Sequence, residues 1–517
     1  MNRTKKFLCD GLILAASAVF MRTVGVSWNA YVSNMVGAES MGLLSLSMSV
    51  YGFAVTLACF GVGFGVTRTI SEALGRGENN KAIESLKAAV CYSLVFGIFT
   101  CLFLLKSAEF IGTKLLSDIR TVASIRIMAI SMLPISLSSV FNGYFNAVRR
   151  VYKSAFCGMI EQFFRMAACV ALFSVLLPKG VEGGCIAIVG GGCVAECLSA
   201  IWGGFMCLID KKRNLKQNKT PSKTPIMELE RTLAKISVPI AASACIRSAL
   251  LTLEHMLIPK TLKMNGLSHS AALSTYGLLG SMVLPIVLYP ASLTSSFASL
   301  LVPELSESKA RNDYEHIKRA SLKAIMVTFA FSACVSGIML SYSGQLGRII
   351  YNSNEAGKYI RLLAPIIPIM YLDTVVDSML KGLGYQVYTM IVNIVDAALS
   401  VIGVLILIPK FGILGYVILI SVSELINASA SIWKLVNVVK IEFSIRKVAV
   451  IPTLLSISSC YVIKVLYSRV IYLSPESVFG LVLHIVSVVL VYGCFCGTVH
   501  LFPKIKNLVK IKKPFAV

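Results

Sequence analysis

Residues 40–67, SMGLLSLSMSVYGFAVTLACFGVGFGVT, run for 28 positions without one Asp, Glu, Lys or Arg. A helix needs roughly 20 apolar residues to cross a hydrocarbon core about 30 Å thick. The stretch is long enough, and it has company. Ile127–Val148, Ala324–Gly347 and Ser477–Pro503 are equally free of these charges. Across all 517 residues only 14% are charged and 56% are hydrophobic, whereas soluble domains carry about 25% charged residues. Most of this chain cannot face water. Short alternating strands, the mark of a membrane β-barrel, are absent from the pattern. The spacing predicts helices beginning near residues 9, 43, 86, 122, 155, 183, 236, 272, 322, 359, 387, 412, 447 and 478.

The net charge of +24 could mark a nucleic-acid surface, but in a membrane protein it marks the cytoplasmic side, where Lys and Arg collect. No nucleic-acid partner is expected. With the N-terminus inside and fourteen crossings, the densest basic runs fall on one side: Lys211-Lys212-Arg213, Lys318-Arg319, and the tail from Lys504 to Lys513. Lys106, Lys114, Arg120 and Arg126 fit poorly, on a nominally external connection. Arg3 to Lys6 followed by Leu12–Phe20 resembles a signal peptide, but the apolar segment resumes after Arg22, and an uncleaved first helix is expected. The fifteen cysteines are scattered singly and read as small buried residues rather than metal ligands or disulfides.

The chain repeats itself at an offset of about 226 to 236 residues. Ala15-Ala16-Ser17-Ala18 recurs as Ala241-Ala242-Ser243-Ala244, and an arginine follows each, Arg22 and Arg247. Ser71-Glu72 through Ala88 matches Ser306-Glu307 through Ala324. Leu177-Pro178-Lys179 matches Ile408-Pro409-Lys410, and Ile201-Trp202 matches Ile432-Trp433. A six-helix unit returns the chain to its starting side, so the halves insert in parallel, with a substrate path at their interface. The expected fold is an all-α membrane protein of about 14 transmembrane helices. Residues 1–209 and 233–440 form two parallel six-helix lobes, joined by a basic cytoplasmic linker, 210–232. Residues 441–503 add two C-terminal helices and 504–517 a basic tail.

Ionisable residues inside a membrane are costly and point to function. Arg22 and Arg247 fall midway along the first and seventh helices, on the face of the small-residue block, and an arginine fork suits phosphate. The expected ligand is a phosphate or pyrophosphate; the alternative is a structural ion pair of Arg247 with Glu254. Arg68 ends the second helix, as a further basic contact or as a topological flank. Glu161 and Arg165, spaced i,i+4, suggest a structural pair. Asp373 and Asp377, also i,i+4, could hold a coupling cation (Na+ or H+), unless Asp377 pairs with Lys381; Glu254 is a further candidate. Asp396, Glu196 and Glu424 have no obvious partner, and His484 reads as a satisfied helix histidine. Nothing in the motifs indicates a catalytic centre, metal site or cofactor.

Several motifs carry a resemblance. They are Arg22-x-x-Gly25 with Gly37-Ala38-Glu39-Ser40-Met41-Gly42-Leu43, Thr69–Ala73 with Gly75-Arg76-Gly77, and Asn142-Gly143-Tyr144-Phe145 with Glu161-Gln162 and Arg165. Leu257-Ile258-Pro259, Leu301–Glu307 and Lys381-Gly382-Leu383-Gly384 complete the set. The chain resembles the multidrug/oligosaccharidyl-lipid/polysaccharide (MOP) flippase superfamily, in its stage V sporulation protein B-like branch, close to the lipid II flippases. The resemblance implies fourteen helices, alternating access, and a cationic cavity for the headgroup of a polyprenyl-linked sugar in a bacterial cytoplasmic membrane. It departs at Trp28 and Asn34, where related flippases often carry basic residues. A cation-coupled multidrug exporter is the alternative on the same fold. A membrane sugar transferase would need large external loops, and those here look short.

Overall fold

The computed structural model describes residues 3–214, 226–441, 444–471 and 474–510. Residues 215–225 of the expected linker and 511–517 of the expected tail lie outside them. The described residues form helices and no strands, as lipid demands of a chain that must satisfy its backbone internally. In chain order the helices are α1 (Arg3–Cys59), α2 (Val62–Gly75), α3 (Asn79–Phe110), α4 (Thr121–Ala147), α5 (Val151–Leu176), α6 (Gly180–Asn214) and α7 (Ile226–Met264). There follow α8 (His269–Gly277), α9 (Leu284–Leu288), α10 (Ala291–Ala310), α11 (Tyr314–Tyr351), α12 (Asn354–Leu363) and α13 (Ile367–Gly382). The last are α14 (Gln386–Phe411), α15 (Ile413–Val439), α16 (Ile451–Leu466) and α17 (Val478–Lys510).

Twelve helical segments among the described residues are long and apolar enough to cross a membrane. Two of them are far longer than one crossing, Phe20–Gly75 at 56 residues and Tyr152–Arg213 at 62. Both fold back on themselves. α1 breaks at Gly37, where φ is 80°, a region that glycine enters without steric cost. Asn29 and Ser45 would stand about 24 Å apart on a straight helix, yet the Asn29 amide donates to the Ser281 carbonyl and the Ser45 hydroxyl bonds the Ser281 hydroxyl. The second segment turns at Pro178 and Gly180, where φ is 82°, bringing Gly191 against the Cys169 backbone.

The chain divides into two compact units, Met1–Ser281 with Asn393–Tyr416, and Met282–Val392 with Val417–Val517. In the first, Val66, Ile70, Val140, Tyr144 and Phe145 form a buried core joining α2, α3 and α4. A backbone-to-backbone crossing sets α1, just after the Gly37 turn, on α8. A Cβ on Gly42 would overlap the Leu273 carbonyl group, with the carbonyl carbon at 2.7 Å, and one on Gly277 would stand 2.7 Å from the Gly42 Cα. The register that pairs Ser71 with Ser306 also pairs Gly42 with Gly277. Equivalent glycines of the two halves therefore meet each other.

In the second unit Leu301, Leu305, Val375, Val376 and Met379 join α10, α11 and α13. The Ser306 hydroxyl donates to the Gly382 carbonyl at 2.7 Å and the Tyr371 hydroxyl to Val287 at 2.6 Å. α16 and α17 pack on α11: Ser456 donates to the Ala333 carbonyl at 2.8 Å and Tyr492 to Ala330 at 2.9 Å. His484 is buried here, its Nδ1 3.3 Å from the Tyr342 hydroxyl and its ring beside Tyr467.

Candidate functional site

Arg22 on α1 and Arg247 on α7 are both exposed, and among the described residues neither has an ion-pair partner. The alternative of an Arg247–Glu254 pair is not realised. Glu254 is buried at 8% exposure, with the Asp396 carboxylate as its charged neighbour. Seven helical residues separate Arg247 and Glu254 by about 10 Å along the axis, beyond ion-pair reach without a bent arginine. The helical rise also fixes depth. Arg22 lies seven residues, about 10 Å, before Asn29, which is level with Ser45 through Ser281. The same rise past Ser45 reaches Gly52. Ser248, beside Arg247, meets Thr56 at 3.5 Å, and Thr252 donates to the Ser49 carbonyl at 2.9 Å. The two guanidinium-bearing positions thus lie within about 6 Å of one another in depth. A Cβ on Gly25 or Gly52 would meet nothing within 4 Å, so the wall beside them is open.

Arg68 stands apart from this level. Its Nε bonds Glu72 at 2.9 Å, with at least half of each side chain exposed. Gly65, on the same helix, packs on Leu233 and Ser237, so Arg68 sits about 20 Å along α7 from Arg247.

Glu161 and Arg165 form the expected pair at 2.7 Å. The structure corrects the reading of Glu196 as partnerless. The fold-back at Gly180 brings it to 3.2 Å from Arg165, and the Tyr51 hydroxyl donates to it at 3.4 Å. One guanidinium therefore serves two carboxylates, and Ser199 donates to Glu161 at 3.3 Å.

Asp373 and Asp377 are buried on one face of α13, and α15 answers them rung for rung. Asn427 donates to Asp373 at 3.3 Å and Ser431 to Asp377 at 3.0 Å. Lys381 reaches only 3.9 Å from Asp377, with half its side chain exposed. The pairing that the spacing suggested is present, and a closer hydroxyl stands beside it. Asp396 and Glu424 each engage in interactions within the fold.

A second charged cluster had no local signal in the sequence. At the end of the first unit where α1 turns at Gly37, Arg120 bonds Glu39 at 3.0 Å and Asp118 at 2.7 Å. His269 Nε2 lies 2.9 Å from Asp118, and the Ser270 hydroxyl donates to Glu39 at 2.6 Å. Burial pushes the Asp118 carboxyl up, but hydrogen bonds from Arg120 and His269 outweigh it and hold the group below its usual value. Two of the four basic residues that fitted the charge pattern poorly are paired: Arg120 in this cluster, and Arg126 with Glu109 at 2.6 Å. The opposite end carries Arg149, Arg150, Lys153 and Lys211-Lys212-Arg213.

Residues 7–307 match the family described as polysaccharide biosynthesis protein, and residues 244–406 match MatE. Stage V sporulation protein B of Bacillus subtilis (strain 168) is 24% identical over 413 residues, 79% of this chain and 79% of that protein. Lipid II flippase MurJ of the same organism is 23% identical over 421 residues, 77% of each chain. Among solved structures, an inward closed conformation of lipid II flippase MurJ superposes with a TM-score of 0.71 at 15% identity, covering 95% of this chain and 100% of that one. An inward-facing multidrug resistance MATE family transporter gives 0.66 at 15% identity, covering 83% and 98%. The first family match alone spans more than half the chain, so this all-α multi-pass membrane protein belongs to the polysaccharide biosynthesis protein family.

Proposed function

We propose that the chain is a flippase that moves a polyprenyl-pyrophosphate-linked glycan or peptidoglycan precursor across a bacterial cytoplasmic membrane by alternating access, for cell-wall or spore-cortex synthesis. One observation carries the reading. Arg22 and Arg247 sit at nearly equal depth in apolar helices, exposed and without an ion-pair partner among the described residues. An unpaired guanidinium at membrane depth is costly, and a pyrophosphate supplies the oxygens that two forks would bind. Arg68 is the outlying basic contact on the approach. The likeness to a lipid II flippase and to a sporulation protein supports the substrate class and the physiological setting.

Counting each folded-back segment as two crossings gives fourteen. With that even count and the positive-inside bias, we take both termini and the basic end of the first unit as cytoplasmic and the Glu39–Arg120 cluster as external. The repeat then supplies two six-helix lobes, 1–209 and 233–440, with 441–503 added. Asp373 and Asp377, or Glu254 with Asp396, are the sites for a coupling cation (Na+ or H+).

The test is a reconstituted flipping assay. Fluorescent undecaprenyl-pyrophosphoryl disaccharide is incorporated in proteoliposomes, and the fraction reached by an impermeant quencher is followed. Arg22→Gln and Arg247→Gln should each slow translocation at least tenfold with unchanged insertion and thermal stability. Wild-type rates in both variants would overturn the assignment. Drug efflux abolished by Asp373→Asn but untouched by Arg22→Gln would replace it with a cation-coupled multidrug exporter.

A further inference from the structure

α1 beyond Gly37 and α8 are equivalent helices of the two halves, and they run side by side from Glu39 to Ser281. Along this seam the contacts are neutral. Gly42 meets the Leu273 and Gly277 backbones, and the Ser45 hydroxyl bonds the Ser281 hydroxyl. Residues 40–52 and 271–283 hold no Asp, Glu, Lys, Arg or His. Among the described residues, the charged bonds of this seam all lie at its end, where the first two residues of α8 reach the first half. His269 Nε2 lies 2.9 Å from Asp118 Oδ2, and the Ser270 hydroxyl donates to Glu39 at 2.6 Å. Arg120 closes the ring, bonding Glu39 at 3.0 Å and Asp118 at 2.7 Å. Ser268 caps α8 by accepting the Ala271 N–H at 3.2 Å, which sets His269 in the first turn, against Asp118.

This ring of groups is short of one positive charge. Glu39 and Asp118 bring two negative charges and Arg120 one positive. Lys114, Lys260 and Lys263, the lysines on the adjoining helix ends, are exposed and form no ion pair among the described residues. Two further titratable groups pack nearby. Glu182 on α6 lies with Asp118 in the surroundings of Cys185, and His255 on α7 bonds Tyr276 at 3.1 Å, about 10 Å further along α8. Histidine is the residue type that changes charge between pH 5 and 8. A neutral His269 leaves the ring with one net negative charge. A protonated His269 brings it to neutrality and makes the contact with Asp118 a charge-assisted one. Asp118, whose hydrogen bonds outweigh its burial and hold it below its usual value, stays ionised throughout. A third of the His269 side chain is exposed, at 33%, so the pH of the surrounding solution reaches it. Its Nδ1 makes no hydrogen bond, so Asp118 is the group that answers an added proton.

We propose that His269 is a pH sensor at the outer end of the substrate path: a proton on its ring locks α8 to the first half, and loss of that proton lets the two helices part. The inference rests on the orientation taken above and on a path between the two halves. Such a path opens outward only when α8 leaves α1, so an acidic exterior should slow each cycle at that step.

Amide hydrogen exchange of the full chain in neutral detergent tests this without any substrate. Rates at pH 5.5 and pH 7.5 are divided by the intrinsic chemical rates at each pH. Residues 38–45 and 269–277 should exchange about threefold more slowly at pH 5.5, the scale of a partly exposed ion pair, while residues 325–339 of α11 should not change. His269→Gln keeps a donor for Asp118 but cannot take up charge, and should exchange alike at both pH values. His269→Arg is charged at both and should exchange slowly at both. A wild type without the pH difference, or a His269→Gln variant that keeps it, overturns the proposal. In the flipping assay the wild type should turn over about threefold more slowly with pH 5.5 outside than with pH 7.5 outside, and His269→Gln equally at both. Exchange that responds to His269 in a chain that flips no lipid would support the pH-sensitive contact and overturn the function proposed above.

Discussion

Replacing Gly42 by alanine should separate two helices that touch backbone to backbone. The added Cβ would lie 2.7 Å from the Leu273 carbonyl carbon, and ordinary contact begins near 3.4 Å. Clearing that carbon alone requires α1 and α8 to part by about 0.7 Å, the Leu273 carbonyl oxygen lies closer still and requires more, and their main chains cannot swing aside as a flexible side chain would. Overpacking of this kind costs about 1–3 kcal/mol. At about 2 °C per kcal/mol for large domains, the thermal midpoint should fall by roughly 2–6 °C. The assay is heat denaturation of the detergent-solubilised chain at one fixed scan rate, scored by surviving monodisperse protein, because large chains unfold irreversibly. Gly52→Ala is the control: its Cβ meets nothing within 4 Å, and loss of a helical glycine should leave the midpoint level or slightly raised. Gly277→Ala should match Gly42→Ala, because it presses on the same crossing from the other side. The double variant should cost less than the sum, since helices already parted for one methyl have partly made room for the second. Single variants that melt with the Gly52→Ala control, or strictly additive costs, would refute the interlock.

Three further outcomes follow from the charged clusters. Arg165→Met leaves Glu161 and Glu196 without their shared cation, and should cost about 3–5 kcal/mol, seen as a lower thermal midpoint that Arg165→Lys largely restores. Asp118→Asn should lower stability by about 1–3 kcal/mol at pH 7. Because the folded group titrates below its usual value, its contribution is complete above about pH 3.9 and is lost as pH falls further; a difference from wild type that shrank between pH 7 and pH 5 would contradict this. If α13 holds the coupling cation, Asp377→Asn should remove the dependence of flipping on a Na+ or H+ gradient while sparing expression, read in the proteoliposome assay with the gradient imposed or collapsed.

Local chemistry was legible in the sequence, and so were the reversals near Gly37 and Gly180, because helices starting near 9 and 43, and near 155 and 183, must turn between; which side chains those turns bring together was not. The charge-free runs mark membrane helices because their length and composition alone decide the matter. Glu161 and Arg165 announce themselves because one helical turn brings them together. The repeat was readable at Ser71 and Ser306, and its register extends to Gly42 and Gly277, although nothing in either glycine's neighbourhood says that the two would touch. Glu196 looked isolated because its cation is delivered only by the turn at Gly180. Arg120 looked misplaced because Glu39 lies 81 residues away, and Ser270 reaches that same Glu39 from 231 residues off.

The meeting of Gly42 with Gly277 has a consequence for how the chain holds together. A residue that touches its own counterpart does so on a two-fold axis, as in an isologous dimer. Under the proposed two-lobe organisation each half acts toward the other at this contact as a subunit of such a dimer, kept at a high effective concentration by covalent continuity. Cut between residues 214 and 226, and co-expressed as two polypeptides in one membrane, the halves retain every atom of that interface and lose only that continuity.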